Sequence, residues 1–291
     1  MKLFLPLSLA LCLPLAATAQ GTDTSPDLVI SSGIENGGYW SIAETLREVA
    51  ADAGITVRNE RSSGSVNNLR ALMAAGNPVS LAFAQADAVA AHLKKRPDDE
   101  AKLRLVENIG LECVFIVTDP KKKIKDDEDL QDEEQLNLGI RSPNSGIRVT
   151  FEYMATLVPE LRNVTMTYGD TVDALDYLRV PRTDIEAVMF VQGPNEISPE
   201  MLRIQANPDD YRFVELKDER FLSMSFKGQP IYQVQKVTPA LVDKKKPVET
   251  ICVQGLLVAN SEKLTPEQLS RLITFASEHW DKVHLKQKTE K

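Results

Sequence analysis

Two short polar segments of this sequence combine residue types that can hold a small ligand. Residues 33–39 (GIENGGY) and 62–68 (SSGSVNN) each follow a strand-like run and open a helix-like run. Turns of this kind point backbone N–H groups and the positive end of a helix dipole into one crevice, where an anion binds without catalysis. The two segments therefore predict capture of a small molecule.

Single side chains in and beyond these turns have a binding interpretation and a structural one. Ser65 and Asn68 either bind a ligand or cap their own helix, and we favour binding for the Ser65 turn. Tyr39 offers an aromatic wall or a hydroxyl, or else stacks in a hinge. Gln85 both donates and accepts, which suits a carboxylate or an amide, unless it is a solvated loop residue. The first candidate set is Gly33, Asn36, Gly38, Tyr39, Ser63, Gly64, Ser65, Asn68 and Gln85.

The order of the predicted elements indicates a sheet that brings these turns together. A β-α-β-α-β-α series favours a parallel sheet with helices on both faces. Ligands bind such sheets beyond the carboxyl ends of the strands, where these turns lie. The strand-like runs are 28–31, 55–58 and 79–84, and the helix-like runs are 39–53, 66–75 and 87–95, with Asp87 as the predicted cap of the last.

The pattern of strands and helices then restarts, which predicts a second lobe. It follows a charged surface segment at 121–134, and its polar turns lie near 141–146, Tyr168 and Gln192. The run at Cys252 returns the chain to the first lobe before a final helix. We therefore predict an α/β protein of two lobes, each a mostly parallel sheet flanked by helices, with a ligand cleft between them. The predicted divisions are 27–110 and 251–291 for the first lobe and 111–250 for the second.

The first residues predict export. A positive start at Lys2, an apolar run at 3–15 and small residues at 17–19 form a secretory signal peptide, cleaved after Ala19. A lipoprotein leader cleaved at Cys12 is disfavoured because the bulky Leu11 precedes that cysteine. No later run reaches about 18 apolar residues, so we expect a soluble periplasmic protein.

Charge and cysteine content narrow the class of partner. The formal net charge is −8 at pH 7, and loss of Lys2 with the leader makes it more negative, which argues against nucleic-acid and anionic-membrane surfaces. We expect a monomer that meets an anionic ligand through local geometry.

Cys113 and Cys252 remain after cleavage, and each begins a β-prone run. They form either one disulfide or two unpaired, packed thiols.

The ordered set of turns resembles the TAXI-type solute-binding proteins of tripartite ATP-independent periplasmic (TRAP) transporters. In that family a glycine-tyrosine turn ends the first strand, a Gly-Ser-Val-x-Asn helix start follows the second, and a Gln-Ser/Ala-Asp turn follows the third. The matching stretches here are 37–40, 64–68 and 85–87. The family's Gly-Ala-Pro-Gly-Ser-Gly-Thr turn corresponds to 141–147, and its later alanine/glycine-proline turn to 192–194. The resemblance covers nearly all of the mature chain.

This resemblance implies both a fold and a function. The implied fold is the type II periplasmic-binding-protein-like fold. The implied function is that of an extracytoplasmic receptor for a small organic anion, such as glutamate, glutamine or a related dicarboxylate. The receptor would deliver that ligand to an ion-driven TRAP permease, and no cofactor is implied.

The second-lobe turn departs from the family pattern. Arg141 and Asn144 replace glycines, and Ile147 replaces a threonine. The guanidinium of Arg141 suits a carboxylate, so this residue either contacts the ligand or pairs with a nearby acid. The second candidate set is Arg141, Asn144, Ser145, Gly146, Tyr168, Gln192 and Pro194.

Enzymatic and metal-dependent functions find little support in the sequence. His92, His279 and His284 lie in or beside predicted helices away from the strand-end turns, and no nucleotide-binding or nucleophile-elbow motif is present. No spaced His/Cys set predicts a metal site. Two alternatives stay open: a periplasmic sensor or adaptor for a membrane receptor, and a transferase on the same two-lobed fold.

Overall fold

The structure is a computed structural model that describes residues 28–133, 135–180, 184–239 and 246–289. The predicted signal peptide and its cleavage site lie outside these residues. The helices are α1 (Gly38–Asp52), α2 (Ser65–Met73), α3 (Ala86–Lys95), α4 (Asp127–Asp132), α5 (Gly146–Leu157), α6 (Thr171–Leu178), α7 (Pro199–Ala206) and α8 (Pro266–Thr289). The strands are β1 (Leu28–Ser31), β2 (Val57–Glu60), β3 (Leu81–Gln85), β4 (Leu103–Thr118), β5 (Leu136–Ile140), β6 (Val164–Tyr168), β7 (Ala187–Gln192), β8 (Arg212–Val214), β9 (Ser225–Phe226), β10 (Gln229–Pro230), β11 (Tyr232–Val237) and β12 (Val248–Asn260).

One continuous sheet of ten strands organises the fold. Its order is β2-β1-β3-β12-β4-β7-β5-β6, with β11 beside β12 and β8 beside β4. Pairing is parallel at both ends, around β1 and around β5, and antiparallel in the centre around β4 and β12. We call the β1–β3 end with α1–α3 and α8 the first lobe, and the β5–β7 end with α4–α7 the second lobe. The predicted α/β class is confirmed, and its two halves are joined by two long central strands.

Apolar burial on both faces of the sheet explains why these segments are strands. In β3, residues Leu81, Phe83 and Ala84 have no exposed surface, as expected for a strand covered by helices. On one face, Leu46 of α1 belongs to the same core cluster as Phe275 of α8. The helix α8 therefore returns the end of the chain to the first lobe. None of the helices in the described ranges is long and apolar enough to cross a membrane.

A disulfide connects the two central strands. Cys113 of β4 and Cys252 of β12 lie directly opposite each other in the antiparallel ladder, and they are bonded across a sequence separation of 139 residues. Both residues are fully buried. Of the two alternatives left open by the sequence, the structure contains the bonded pair.

The long central strands were only half visible in the sequence. The second half of β4, from Cys113 onward, is buried and apolar, whereas its first half alternates exposed and buried positions and includes Arg104, Glu107 and Asn108. The ladder with β12 also shifts register twice in that half. Pairing with β12, rather than a local apolar run, makes this segment a strand. The elements α7 and β8–β11 had no predicted counterpart.

The prediction that Asp87 caps α3 is wrong. The N-cap of this helix is Gln85, and Asp87 lies inside its first turn with no exposed surface. Its carboxylate accepts hydrogen bonds from Thr150 Oγ1 at 2.6 Å and from the Tyr232 hydroxyl at 2.8 Å. Asp87 therefore ties the first lobe to α5 and β11, a role that local helix signals do not reveal.

Candidate functional site

A cavity of about 340 Å³ lies between the two lobes, at the carboxyl ends of the parallel strands. Residues from both lobes line it, as expected for a cleft formed where strands from two half-sheets end. The predicted site residues that line it are Gly33, Asn36, Gly38, Tyr39, Ser63, Gly64, Ser65, Gln85, Arg141, Ser145, Gly146 and Gln192.

Three helices begin at this cleft without a side-chain cap in the described structure. The N-caps of α1, α2 and α5 are Gly37, Gly64 and Ser145, and none of them has a side chain that accepts a hydrogen bond from its helix. By contrast, Asp170 and Ser198 cap α6 and α7 through their side chains. Since the first turn of a helix leaves its N–H groups without intrahelical partners, α2 and α5 offer donors and positive dipole ends to the cavity, whereas the Glu196 carboxylate lies against Gly38 at the start of α1.

Glycines allow the two lobes to touch across the cleft. A Cβ atom added at Gly146 would lie 1.5 Å from Gln85 Oε1 and 2.8 Å from Ser65 Oγ. Gly64 has φ of +114°, and a Cβ atom there would lie 3.1 Å from Ser145 Cα. Only glycine fits both the close approach and the positive φ. The structure is therefore a closed form in which the helix start of α5 meets the first lobe.

Gln85 brings an unpartnered donor into the cavity wall. Its side chain is 3 % exposed, and its Nε2 atom has no hydrogen-bond partner in the described structure. Its backbone N–H donates to Ser65 Oγ at 3.2 Å, which links the end of β3 to the start of α2. A buried donor without a partner costs about 1–3 kcal/mol, a cost that a ligand acceptor would remove.

Tyr39 and Glu112 form a polar pair in the cleft. The Tyr39 hydroxyl donates to Glu112 Oε2 at 2.9 Å, while the Tyr39 ring packs on Phe83 at a centroid distance of 5.3 Å. Burial is the main cause that raises the pKa of Glu112 to about 8, and the charges of Glu196 and Asp87 add to it. Burial and Glu112 likewise raise the pKa of Tyr39 well above its usual value. In this closed form Glu112 therefore holds a proton at neutral pH.

Arg141 is engaged by the second lobe. Its Nη2 donates to Glu200 Oε1 at 2.5 Å and to Thr171 Oγ1 at 3.0 Å. The Arg141 side chain is 23 % exposed and lines the cleft, whereas that of Glu200 is 6 % exposed. The structure thus contains the ion pair that the sequence left as an alternative, and a ligand contact by Arg141 stays a prediction.

A family model matches residues 31–287, nearly the whole described chain, and its description is "NMT1-like family". The chain belongs to the NMT1-like family. No curated protein matches this NMT1-like chain in sequence.

Solved structures share the fold of this NMT1-like protein at low sequence identity. The GluR0 ligand-binding core in complex with L-glutamate matches with a TM-score of 0.52 and 10 % identity, covering 92 % of this chain and 98 % of that one. An arginine third transport system periplasmic binding protein from Legionella pneumophila matches with a TM-score of 0.50 and 14 % identity, covering 91 % and 99 %. These similarities show that the fold is of the type II periplasmic-binding-protein-like class.

Four predicted site residues do not line the cavity. Asn68 is buried inside the first lobe, where its Nδ2 donates to the backbone carbonyls of Ser32 and Phe83. Asn144 Oδ1 instead accepts from Arg70 Nη2 at 3.3 Å. Tyr168 is 44 % exposed at the end of β6, and Pro194 lies in the turn after β7. The structure places these four residues outside the lining, because side-chain direction depends on packing that spacing does not give.

The sequence reasoning missed the acidic residues of the cleft. Glu112, Glu196 and Glu200 all line it, but none belongs to a glycine-rich turn. Glu112 directly precedes Cys113 on the strand that crosses between lobes, and that position was the one available signal. Glu196 and Glu200 lie at and beyond the turn after Gln192, where the predicted set contains only Pro194.

A second depression lies on the outer surface beside α8. Its lining includes Ala53, Ile55 and Phe275, and it is shallow and open to solvent. The interlobe cleft is smaller but more enclosed, and it is the one to which the strand-end turns and helix starts converge. We therefore place the candidate site in the interlobe cleft. Among the described residues, no cluster of His, Cys, Asp and Glu has the arrangement of a metal site.

Proposed function

We propose that this NMT1-like protein is an extracytoplasmic solute-binding protein that captures a small carboxylate-bearing molecule. The observation that carries the proposal is the convergence of the uncapped starts of α2 and α5 and the unpartnered Gln85 Nε2 atom on one cavity. Together these groups offer hydrogen-bond donors without a full positive charge, which suits a carboxylate. The cavity volume of about 340 Å³ suits a molecule the size of an amino acid.

The transport partner is proposed from the sequence. The ordered TAXI-type turns and the predicted leader favour a receptor in the periplasm that hands its ligand to an ion-driven TRAP permease. One structural relative is described as a periplasmic binding protein of an arginine transport system. A periplasmic sensor that presents its ligand-bound form to a membrane receptor would use the same closed cleft.

Binding rather than catalysis is the proposed chemistry of the cleft. His92 lies in α3, and its Nε2 atom is 2.8 Å from Asp99 Oδ2. The His279 ring stacks on Phe275 in α8. Neither histidine lines the interlobe cavity. The cleft residues position and neutralise a ligand, and Ser145 Oγ donates to the Ser142 carbonyl rather than to a base.

Thermal-shift measurements on the mature chain test the proposal. The panel contains L-amino acids, dicarboxylates and 2-oxo acids. A ligand at about 100 times its dissociation constant stabilises the fold by about 2.7 kcal/mol, which raises the unfolding temperature measurably. No shift with any member of the panel would contradict the proposed function.

Reconstituted transport tests the partner. A TRAP permease from the same organism is placed in proteoliposomes, and uptake of the radiolabelled ligand is measured with and without the mature protein. We expect uptake that depends on both the protein and an ion gradient. Uptake that is independent of the protein would instead favour the sensor role.

A further inference from the structure

The interlobe cleft is acidic. Among the described residues that line it, the only basic one is Arg141, against five carboxylates. A cavity built for an anion alone would be expected to carry the opposite excess of charge. The five carboxylates are Glu35, Glu112, Asp170, Glu196 and Glu200.

Three of these carboxylates have partners within their own lobe. Glu200 accepts hydrogen bonds from Arg141 and from Thr171. Asp170 Oδ1 accepts from two backbone N–H groups in the first turn of α6. Glu35 lies at the rim, 3.5 Å from Arg61. The other two, Glu112 and Glu196, also have partners, and both lie against the start of α1, through Tyr39 and Gly38.

Glu112 and Glu196 approach the cavity from different elements. Glu112 stands on β4, and the Tyr39 hydroxyl holds its Oε2 atom. Glu196 belongs to the turn between β7 and α7, and its Oε2 accepts from the backbone N–H of Gly193 at 3.3 Å. The Glu196 carboxylate rests against Gly38, because a Cβ atom added there would lie 2.7 Å from both of its oxygens. Two carboxylates, one from β4 and one from the turn after β7, therefore line one cavity.

We propose that Glu112 and Glu196 form a subsite for a protonated amino group of the ligand. The inference rests on the proposed function and specifies its substrate class: a zwitterion, with its carboxylate at the helix starts near Gln85 and its ammonium group between the two glutamates. Dicarboxylates and 2-oxo acids, which lack the ammonium group, are then poor ligands because they bring a second negative charge, or no positive one, to an acidic wall.

The protonation of the site agrees with this assignment. The titratable groups that act on the Glu112 carboxyl are Tyr39 from α1 through a hydrogen bond, and Asp87 from α3 and Glu196 from the turn before α7 through their charges. Burial, together with the two acids, raises the pKa of Glu112, so an empty site at neutral pH holds a proton there. A ligand ammonium group would replace that proton. Binding is therefore accompanied by proton release, whereas an anion would leave the proton in place.

Isothermal titration calorimetry with matched probe pairs tests the subsite. Each pair is an L-amino acid and its 2-oxo acid, such as L-glutamate with 2-oxoglutarate and L-glutamine with 2-oxoglutaramate, and succinate and glutarate are added as dicarboxylates. We expect an amino acid to bind at least about tenfold tighter than its 2-oxo acid. Titration in two buffers with different ionisation heats should reveal release of a proton in the wild-type protein.

Glu112→Gln and Glu196→Gln are the test variants, and Glu107→Gln is the control, because it removes one charge from β4 outside the cavity lining. Each test variant should weaken amino-acid binding by about tenfold or more and leave 2-oxo acid binding unchanged or stronger. Glu107→Gln should change neither affinity by more than about twofold. Glu112→Gln should also abolish proton release. Unfolding curves establish that each variant is folded, and Glu196→Gln serves as the independent test if Glu112→Gln is not.

The outcomes separate the two proposals. If 2-oxo acids or dicarboxylates bind as tightly as amino acids, or if neither glutamate variant affects amino-acid affinity, the ammonium subsite is overturned and the carboxylate receptor stands. If no probe binds, both proposals are overturned.

Discussion

Gly146 shows how the absence of one side chain shapes this site. Its Cα lies where any Cβ atom would meet the Gln85 amide oxygen and the Ser65 hydroxyl. The contact between the lobes therefore requires a glycine here. The absence of a side chain also leaves the N–H groups at the start of α5 accessible to a ligand.

Gly146→Ala should weaken ligand binding by about tenfold or more, because the closed contact with Gln85 has to open. Isothermal titration with the ligand found in the screen measures the change. Gly169→Ala is the matched control, since nothing lies within 4 Å of a Cβ atom there. Equal affinities of the two variants would show that the closed contact between Gly146 and Gln85 does not form around the ligand.

Gln85→Leu should separate stability from binding. The substitution removes a buried donor that has no partner, so the empty protein should gain up to about 1–3 kcal/mol in free energy of unfolding. The same change should weaken carboxylate binding. Urea unfolding and calorimetry measure the two effects, with Gln233→Leu on the exposed side of β11 as control. A less stable variant that binds normally would argue that Gln85 is purely structural.

At the scale of elements, the two central strands are what hold the lobes together. β4 and β12 pair along most of their length, and the Cys113–Cys252 bond fixes their register near the cleft. Glu112 is the neighbour of Cys113, so the same crossing that supports the fold also positions a cleft carboxylate. Fold stability and site geometry are thus coupled through one pair of strands.

Loss of the disulfide should be costly because it closes a chain segment of 139 residues. A Cys113→Ala/Cys252→Ala double variant should lose about 2–5 kcal/mol in free energy of unfolding. Urea unfolding with and without dithiothreitol provides the measurement. The wild-type midpoint should fall in reductant and that of the double variant should not move. If the urea midpoint of the wild-type protein is the same with and without dithiothreitol, the bond is absent from the purified protein.

Most elements could be predicted, and the failures have physical causes. The bounds of β1 coincide with the predicted run 28–31, because a continuous apolar segment there ends at polar turn residues. β2 begins at Val57 rather than at residue 55, since pairing with β1 selects the register. The first half of β4 and the strands β8–β11 were hidden, because cross-strand pairing rather than local composition makes them strands.

At the scale of the whole molecule, the buried carboxyl group of Glu112 makes the free energy of unfolding depend on pH. The folded state raises the pKa of Glu112 from 4.5 to about 8. Between these values the folded protein retains a proton that the unfolded chain has released. The contribution of Glu112 therefore makes the empty protein less stable as the pH rises through this window.

Urea unfolding of the ligand-free protein at pH 5, 6, 7 and 8 checks this linkage. The free energy of unfolding should fall with a slope of up to about 1.4 kcal/mol per pH unit from this group. Glu112→Gln should flatten the dependence. Glu107→Gln on the same strand should keep the wild-type slope. A wild-type slope in Glu112→Gln would place the retained proton elsewhere, for example on Asp87, whose pKa is also raised by burial.

The sequence by itself determined the repeating strand-turn-helix order and the polar turns at the strand ends, because each depends on residues close together in the chain. The leader stays a prediction from the sequence. Only the tertiary structure decided which side chains meet in the cleft. Tyr39 and Glu112 are 73 residues apart, and Arg141 and Glu200 are 59 apart. These pairs form because the register of β4 and β12 and the closure of the two lobes bring them together. No local pattern encodes either, and so the acidic wall of the cleft was visible only in the folded molecule.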